Sequence, residues 1–452
     1  MAEPQSFTTP RGMRDIDQVE MANRSWMYQK IKGTMRLYGF QMVEPTAMEN
    51  LATLEAKAGP DIRKEIYWFE DKSGRKLGLR FDLTVGMTRM VSNRLELPEP
   101  IKLCAISEMW RYDEPQFGRY RNFSQWDAEI YGSGGQEADA EVICLGMDIL
   151  ESLGLSDYEV RISNRKLTEG FLKARGLRSK EKIEASIRVI DKLGKLSSEQ
   201  VMSELRAIGL QEDLVQQTME FASLRGRPDE VLSESPRMLE DEGRKGLDEL
   251  RKLADILEAF DKIGRCVYDY RIVRGIGYYD GIVFEAYDRV GEDIGAIFAG
   301  GRYDGLCRVY GKRDMPATGV AGGVERIMIS MERANLLPKI SQAPTVFVVA
   351  VNDAVRRDCW NITRQLRRMG VPADKGHLEK SIPNGTEGGS RLRGRKLPFQ
   401  EGDGDYPGMA RGRAGALSHL QFRSQNHPAD GFLPDLAGNF QFCEKVAHLP
   451  LN

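Results

Sequence analysis

Three arginines crowd one short stretch of the chain. Arg111, Arg119 and Arg121 fall within residues 108–123, between two strand-like ends, in a loop that also holds Glu114 and Gly118. A guanidinium is planar, permanently charged and able to pair bidentately with phosphate or carboxylate, so three around one hairpin make a clamp for a polyphosphate. Just downstream, Gln125, Asp127 and Glu129 alternate with Trp126 and Ala128. Period two puts Gln125 and Glu129 on one face of a strand, where an amide beside a carboxylate can read a small cationic or polar ligand. Taken alone, the same pattern also describes a solvated hairpin with ordinary surface arginines.

Three further segments carry chemistry. Arg80-Phe81-Asp82-Leu83-Thr84 reads as the end of a strand with Arg80, Asp82 and Thr84 on one face, a carboxylate and a hydroxyl suited to an ammonium group. Residues 274–281, Arg-Gly-Ile-Gly-Tyr-Tyr-Asp-Gly, read as a dense turn carrying Arg274, Tyr278 and Tyr279. Its glycines let backbone approach a ligand closely, but their spacing is not the dinucleotide-binding fingerprint. Residues 299–305 repeat the style and supply Tyr303, while residues 319–331 read as a small-residue strand running into a helix with Arg326 in its first turn. No Walker loop, zinc-ligand cluster or nucleophile elbow occurs. All 4 histidines stand at or beyond position 377, so the core has none to serve as base or metal ligand. What remains is positioning and charge stabilisation by arginine, with magnesium.

The elements that must hold these residues follow from periodicity. Met27, Ile31, Met35 and Tyr38 recur at helical spacing and predict a helix over 17–37, ended by Gly39 and followed by a strand at 40–43 that Pro45 stops. Short strands are predicted around 66–69, 76–81, 102–109 and 123–131; the tight polar turns between them imply an antiparallel sheet rather than a doubly wound parallel one. Over 179–262 two apolar stripes, Ile183-Ile187-Ile190-Leu193 and Leu247-Leu250-Leu253-Leu257-Phe260, predict an all-helical block, read as an insertion, with continuation of the same domain as the alternative. Strand signals resume at 266–268 and 282–287. Pro338 and Pro344 then bracket a linker before a strand at 345–351, a helix at 353–369 and a strand from 371, the pattern of a small α/β domain with a parallel pair.

Bulk properties set the class. The 452 residues allow two or three domains, and 65 Lys+Arg against 67 Asp+Glu give no global positive field, so any RNA contact must come from local patches. Six cysteines lie far apart without a Cys-x-x-Cys pair, which fits a reducing compartment. A polar N-terminus without a signal-peptide core and the absence of a bilayer-length apolar run point to a cytoplasmic protein without a membrane partner. After about residue 375 the periodicity fails: only Ile382 and Val446 represent isoleucine and valine from His377 onward. An α/β unit that has just begun should supply more strands. The abrupt change favours a frame or sequencing error over a disordered extension, and translating the coding DNA in its other two frames decides between them.

In order and spacing these segments resemble the class II aminoacyl-tRNA synthetases, and among them histidyl-tRNA synthetase of the archaeal and eukaryotic type. Residues 27–45 look like motif 1, 108–129 like motif 2 and 319–326 like motif 3, while 274–279 and 300–305 look like the two signature peptides of that family; the likeness covers roughly 7–373. The resemblance implies an α+β fold: an antiparallel sheet flanked by helices, with a helical insertion and a C-terminal α/β anticodon-binding domain. The catalytic domain would comprise 1–178 and 263–338, the insertion 179–262 and the anticodon-binding domain 343–452. It implies histidine activation by ATP, transfer of histidine to tRNA, magnesium on the phosphates and a homodimer. Arg111 would hold the α-phosphate of ATP, Arg119 and Arg326 its outer phosphates, and Glu114 and Arg121 would join the ATP site. Arg274 would neutralise the reacting carboxylate and α-phosphate. Asp82, Thr84 and Gln125 would take the substrate ammonium; Glu129 and Tyr279 would bond the imidazole, with Tyr278 and Tyr303 closing the pocket. Gly277 stands where bacterial relatives commonly carry an acidic residue. The alternative is a non-catalytic histidine-sensing paralogue, the regulatory subunit of ATP phosphoribosyltransferase, which need not keep the ATP arginines.

Overall fold

The first helix begins where Asp17 can cap it. Its carboxylate accepts the amides of Val19 and Glu20, and α1 (Gln18–Leu37) then buries Met27, Ile31 and Met35 along one stripe. The computed structural model describes residues 7–56, 62–94, 96–193, 196–236, 238–273, 277–340, 346–350 and 353–377. Arg274 and the compositionally anomalous residues 378–452 lie outside the described residues. The chain divides after Ile340 into two compact units.

The first unit contains, in order, β1 (Gln41–Met42), β2 (Met48–Asn50), α2 (Leu51–Glu55), β3 (Trp68–Glu70), β4 (Lys76–Leu79), α3 (Thr84–Ser92), β5 (Ile101–Trp110) and β6 (Asn122–Tyr131). Then come α4 (Gln136–Ser152), β7 (Tyr158–Asn164), α5 (Arg165–Ala174), α6 (Lys180–Ile190), α7 (Ser198–Ala207), α8 (Glu212–Ser223), β8 (Arg225–Gly226), α9 (Pro228–Glu234) and α10 (Asp241–Ala259). It closes with β9 (Cys266–Asp269), β10 (Ile282–Asp288), β11 (Phe298–Arg302), α11 (Cys307–Tyr310), β12 (Ala317–Gly323) and α12 (Val324–Arg333). Nine strands form one sheet in the order β1-β5-β6-β12-β11-β10-β7-β9-β8, antiparallel except for β1–β5 and β7–β9. A second sheet, β2-β4-β3, carries the strand expected at 66–69, which begins two residues later at Trp68.

Strand parity sorts the sheet into two faces. Along β6, Trp126, Ala128 and Ile130 enter the main core with Met27 and Ile31 of α1 and Val142 and Leu145 of α4, whereas Tyr131 belongs to a second core with Met87 of α3, Tyr279 and Tyr303. The helical block is divided in the same sense. Leu250, Leu253 and Leu257 of α10 pack into the main core, while Val201, Leu205 and Val215 of α7 and α8 form a small cluster of their own. In the second unit β13 (Val346–Ala350) and β14 (Ala373–His377) pair in parallel across α13 (Arg356–Arg368), the strand-helix-strand pattern read from the sequence.

One local reading is corrected. The strand predicted over 76–81 stops at Leu79, so Arg80, Asp82 and Thr84 do not share a strand face. Arg80 turns away to Glu44 and to the carbonyls of Pro45 and Glu108, the Asp82 carboxylate accepts the Val85 amide at 3.1 Å, and Thr84 opens α3. A carboxylate that satisfies an amide in the first helical turn favours leaving the sheet.

A buried network ties distant elements together. Arg24 on α1 donates to Glu325 at the start of α12 (2.8 Å) and to the Ser124 hydroxyl on β6 (3.0 Å), and Glu325 also accepts the Ser124 amide at 2.9 Å. Both ionic side chains are almost wholly buried. Arg24→Met strands the Glu325 carboxylate and should lower unfolding stability by about 3–5 kcal/mol in denaturant titrations; a loss under about 1 kcal/mol would show that the pair is not structural.

Candidate active site

The face of β6 opposite the main core carries Gln125, Asp127 and Glu129, all three buried. Glu129 is 1% exposed, and its two oxygens accept from the hydroxyls of Thr84 (2.7 Å) and Tyr303. Burial pushes its carboxyl up to about 8, against the pull of those hydrogen bonds. Directly across on β12 stands Gly319, where a Cβ would coincide with the Glu129 carboxylate. The glycine of the 319–326 segment therefore makes room for an acid on the neighbouring strand. Asp127 is fully buried, and the Gln125 amide donates to its Oδ1 at 2.8 Å. Burial first, then Glu129 and Asp82, hold its carboxyl well above the usual range; burial likewise raises Asp82. Three buried carboxyls thus oppose one another's ionisation, and a cation is their natural complement.

Aromatic rings lie beside the same carboxyls, with Tyr303 bonded to Glu129. Tyr278 and Tyr279 lie 4.7 Å apart and meet Tyr303 edge-on at 5.7 and 6.3 Å. Apolar ring walls ending in hydroxyls and a carboxyl suit a flat polar ring with nitrogens on opposite sides.

The arginines gather at the other end. Arg111 donates to the Phe81 carbonyl (2.8 Å), lies over the Phe123 ring (5.0 Å) and reaches the Gln125 amide oxygen at 3.4 Å. Arg326, in the first turn of α12, donates to the carbonyls of Ala296 (2.8 Å) and Gly118 (3.4 Å). Gly118 turns the loop at φ +70°, which brings its carbonyl to Arg326. Burial, followed by the charges of Arg119 and Arg111, pushes the Arg326 guanidinium down to about 10. Arg111 and Arg326 thus spend their bonds on neutral acceptors, and the three like charges repel one another, so an anion placed among them is favoured.

Not every residue of the loop faces that point. Glu114 pairs with Arg11 at the exposed rim, and Arg121 donates to the Asp113 carbonyl (2.9 Å) while lying 4.1 Å over the Tyr112 ring. Both brace the loop from outside. Arg274 lies outside the described residues. Asp127 carries a role that the sequence reading left unassigned, although the signal was present: it shares the parity of Gln125 and Glu129. Glu325 was missed as well, because nothing local marks a partner 301 positions away.

Comparison with known proteins yields a consistent set. A family profile described as histidyl-tRNA synthetase matches residues 12–327. The chain is 36% identical over 366 residues to a histidine–tRNA ligase of Pyrococcus furiosus, covering 80% of this chain and 84% of that one. It is 38% identical over 368 residues to that of Thermococcus kodakarensis, with the same coverage. Among solved structures, histidyl-tRNA synthetase from a Nostoc species superposes with a TM-score of 0.70 at 26% identity, over 83% of this chain and 88% of that one.

The raised Glu129 carboxyl has a consequence for stability. Between its ordinary value of 4.5 and about 8 the folded protein binds a proton that the unfolded chain has released. Stability must therefore fall as pH rises through that window. Glu129→Gln should flatten the decline when unfolding midpoints are compared at pH 6 and pH 9; an equal slope in the two proteins would show that Glu129 is ionised in the empty site.

Proposed function

Because the chain belongs to the histidyl-tRNA synthetase family, we propose that this one site performs both the activation of histidine and its transfer to tRNA. The protein is a histidine–tRNA ligase, an ATP-dependent aminoacyl-tRNA synthetase with ATP as co-substrate. One observation carries the assignment of its parts: the bond from Arg111 to Gln125 sets a clamp for phosphates against a pocket for a cationic amino acid. Glu129 and Tyr279 would hold the imidazole, and Tyr278 and Tyr303 its ring faces and edge. Asp82, Thr84 and Gln125 would receive the ammonium. Arg111 would grip the α-phosphate, with Arg119 and Arg326 on the outer phosphates and Glu114 and Arg121 steadying the loop beneath them. Arg274 would neutralise carboxylate and phosphate as they meet.

In that arrangement a histidine carboxylate oxygen attacks the α-phosphorus, forming histidyl-adenylate as the bond to pyrophosphate breaks. Guanidinium groups stabilise the charge that develops on phosphate oxygens. The terminal ribose hydroxyl of tRNA then attacks the activated carbonyl and AMP leaves. Among the described residues no group of three or more His, Cys, Asp or Glu side chains is set to hold a metal. Magnesium would bridge the phosphates of bound ATP. A histidine-sensing paralogue needs the pocket but not the three arginines, and their convergence here favours the enzyme.

Homodimerisation through α1 and the sheet edge at β1 is proposed on the exposed apolar side chains Val19, Met21, Leu37 and Met42. No helix among the described residues is long and apolar enough to cross a membrane, and the proposed place of work is the cytoplasm. Arg326→Ala should lower histidine-dependent ATP–pyrophosphate exchange by about 100- to 1000-fold and raise the KM for ATP, as loss of one preorganised charge donor does. Exchange within threefold of the parent would remove Arg326 from the phosphate site.

A further inference from the structure

One oxygen of the buried Asp127 carboxyl has no partner among the described residues. The side chain is fully buried, Gln125 holds Oδ1, and the oxygen in question is Oδ2. The sheet cannot supply one: directly opposite on the neighbouring strands stand Ala105 and Ala321. Parity puts the carboxyl on the face of Gln125 and Glu129. The charged groups around it are Glu129 on the same strand, Asp82 in the turn before α3, and Arg111 at the end of β5. Among the described residues, three acids face one cation there.

We infer that Asp127 is a substrate-binding residue whose free Oδ2 takes the α-ammonium of the amino acid. This rests on the functional reading above and adds to it the principal counter-charge of the ammonium. An unpaired carboxylate at such depth is strongly disfavoured, and burial together with the neighbouring acids favours the neutral form of Asp127 in the empty site. When the ammonium enters, the neutral acid releases its proton to solvent and the resulting carboxylate pairs with the cation. Binding of histidine is therefore coupled to proton release and strengthens as pH rises. The Gln125 amide, fixed by Oδ1, keeps its own oxygen toward Arg111, at the junction of the two subsites.

The test uses the full chain and the isosteric variant Asp127→Asn. In ATP–pyrophosphate exchange the KM for histidine should rise about ten- to hundredfold, the range of one charge-assisted hydrogen bond, while the KM for ATP holds. Calorimetry near pH 7 in buffers of different ionisation enthalpy should detect proton release when the parent protein binds histidine. Imidazolepropionate, which lacks the amino group, should release about one proton fewer than histidine once each ligand's own imidazole titration is subtracted, and in the variant that difference should vanish. The comparison of the two ligands on the parent protein decides the matter even if the variant fails to fold. Equal proton release with both ligands, or an unchanged histidine KM in a folded Asp127→Asn, overturns the assignment of Asp127 alone. Absence of histidine-dependent exchange in the parent overturns the functional reading and this inference with it.

Discussion

An ionised carboxyl in a protein interior is unfavourable unless something positive meets it, and β6 places Asp127 and Glu129 in that position. The rest of the first unit follows from this constraint. The opposite face of the strand must be apolar so that α1 and α4 can seal the sheet, and Trp126, Ala128 and Ile130 supply that. The strand opposite must leave space, and Gly319 does so. Thr84 and Tyr303 arrive from separate parts of the chain to donate to Glu129, which fixes the carboxyl in place. The site is thus held in a state that a cationic ligand relieves.

The arginine cluster is the same argument with the sign reversed. Arg111 and Arg326 are anchored on carbonyls and an amide, so their positions are set while their charge stays available. Burial keeps that charge effective, because a low effective dielectric strengthens both the mutual repulsion and the attraction for phosphate. The buried pair Arg24–Glu325 lies one residue from Arg326 and joins α1, β6 and α12. It fixes the start of the helix that carries Arg326, which ties the first helix of the chain to the arginine cluster.

Much of this is legible in the sequence, for identifiable reasons. Period two is unambiguous along 125–130, because polar and apolar residues alternate there without interruption. The strand-to-helix passage at Arg326 is equally clear from its small residues. The segment 80–84 misleads because it alternates like a strand, whereas the bond from the Val85 amide to Asp82 turns it into the approach to a helix. That competition between side chain and sheet is invisible without the third dimension. Arg121 and Glu114 share the loop with Arg111 and Arg119, but spacing cannot tell which guanidinium faces inward when Tyr112 offers a ring outside. Asp127 shared the parity of its neighbours and was passed over because its role depends on burial and on the alanines across the sheet.

A site with buried acids and tyrosines at one end and arginines at the other should activate one amino acid, selected by charge and ring shape together. The most direct measurement is ATP–pyrophosphate exchange by the purified full chain with each of the twenty amino acids in turn. Exchange with histidine, and none above background with lysine, arginine or glutamine, is the result this account predicts. Exchange that proceeds equally well with another amino acid, or with none added, would contradict it.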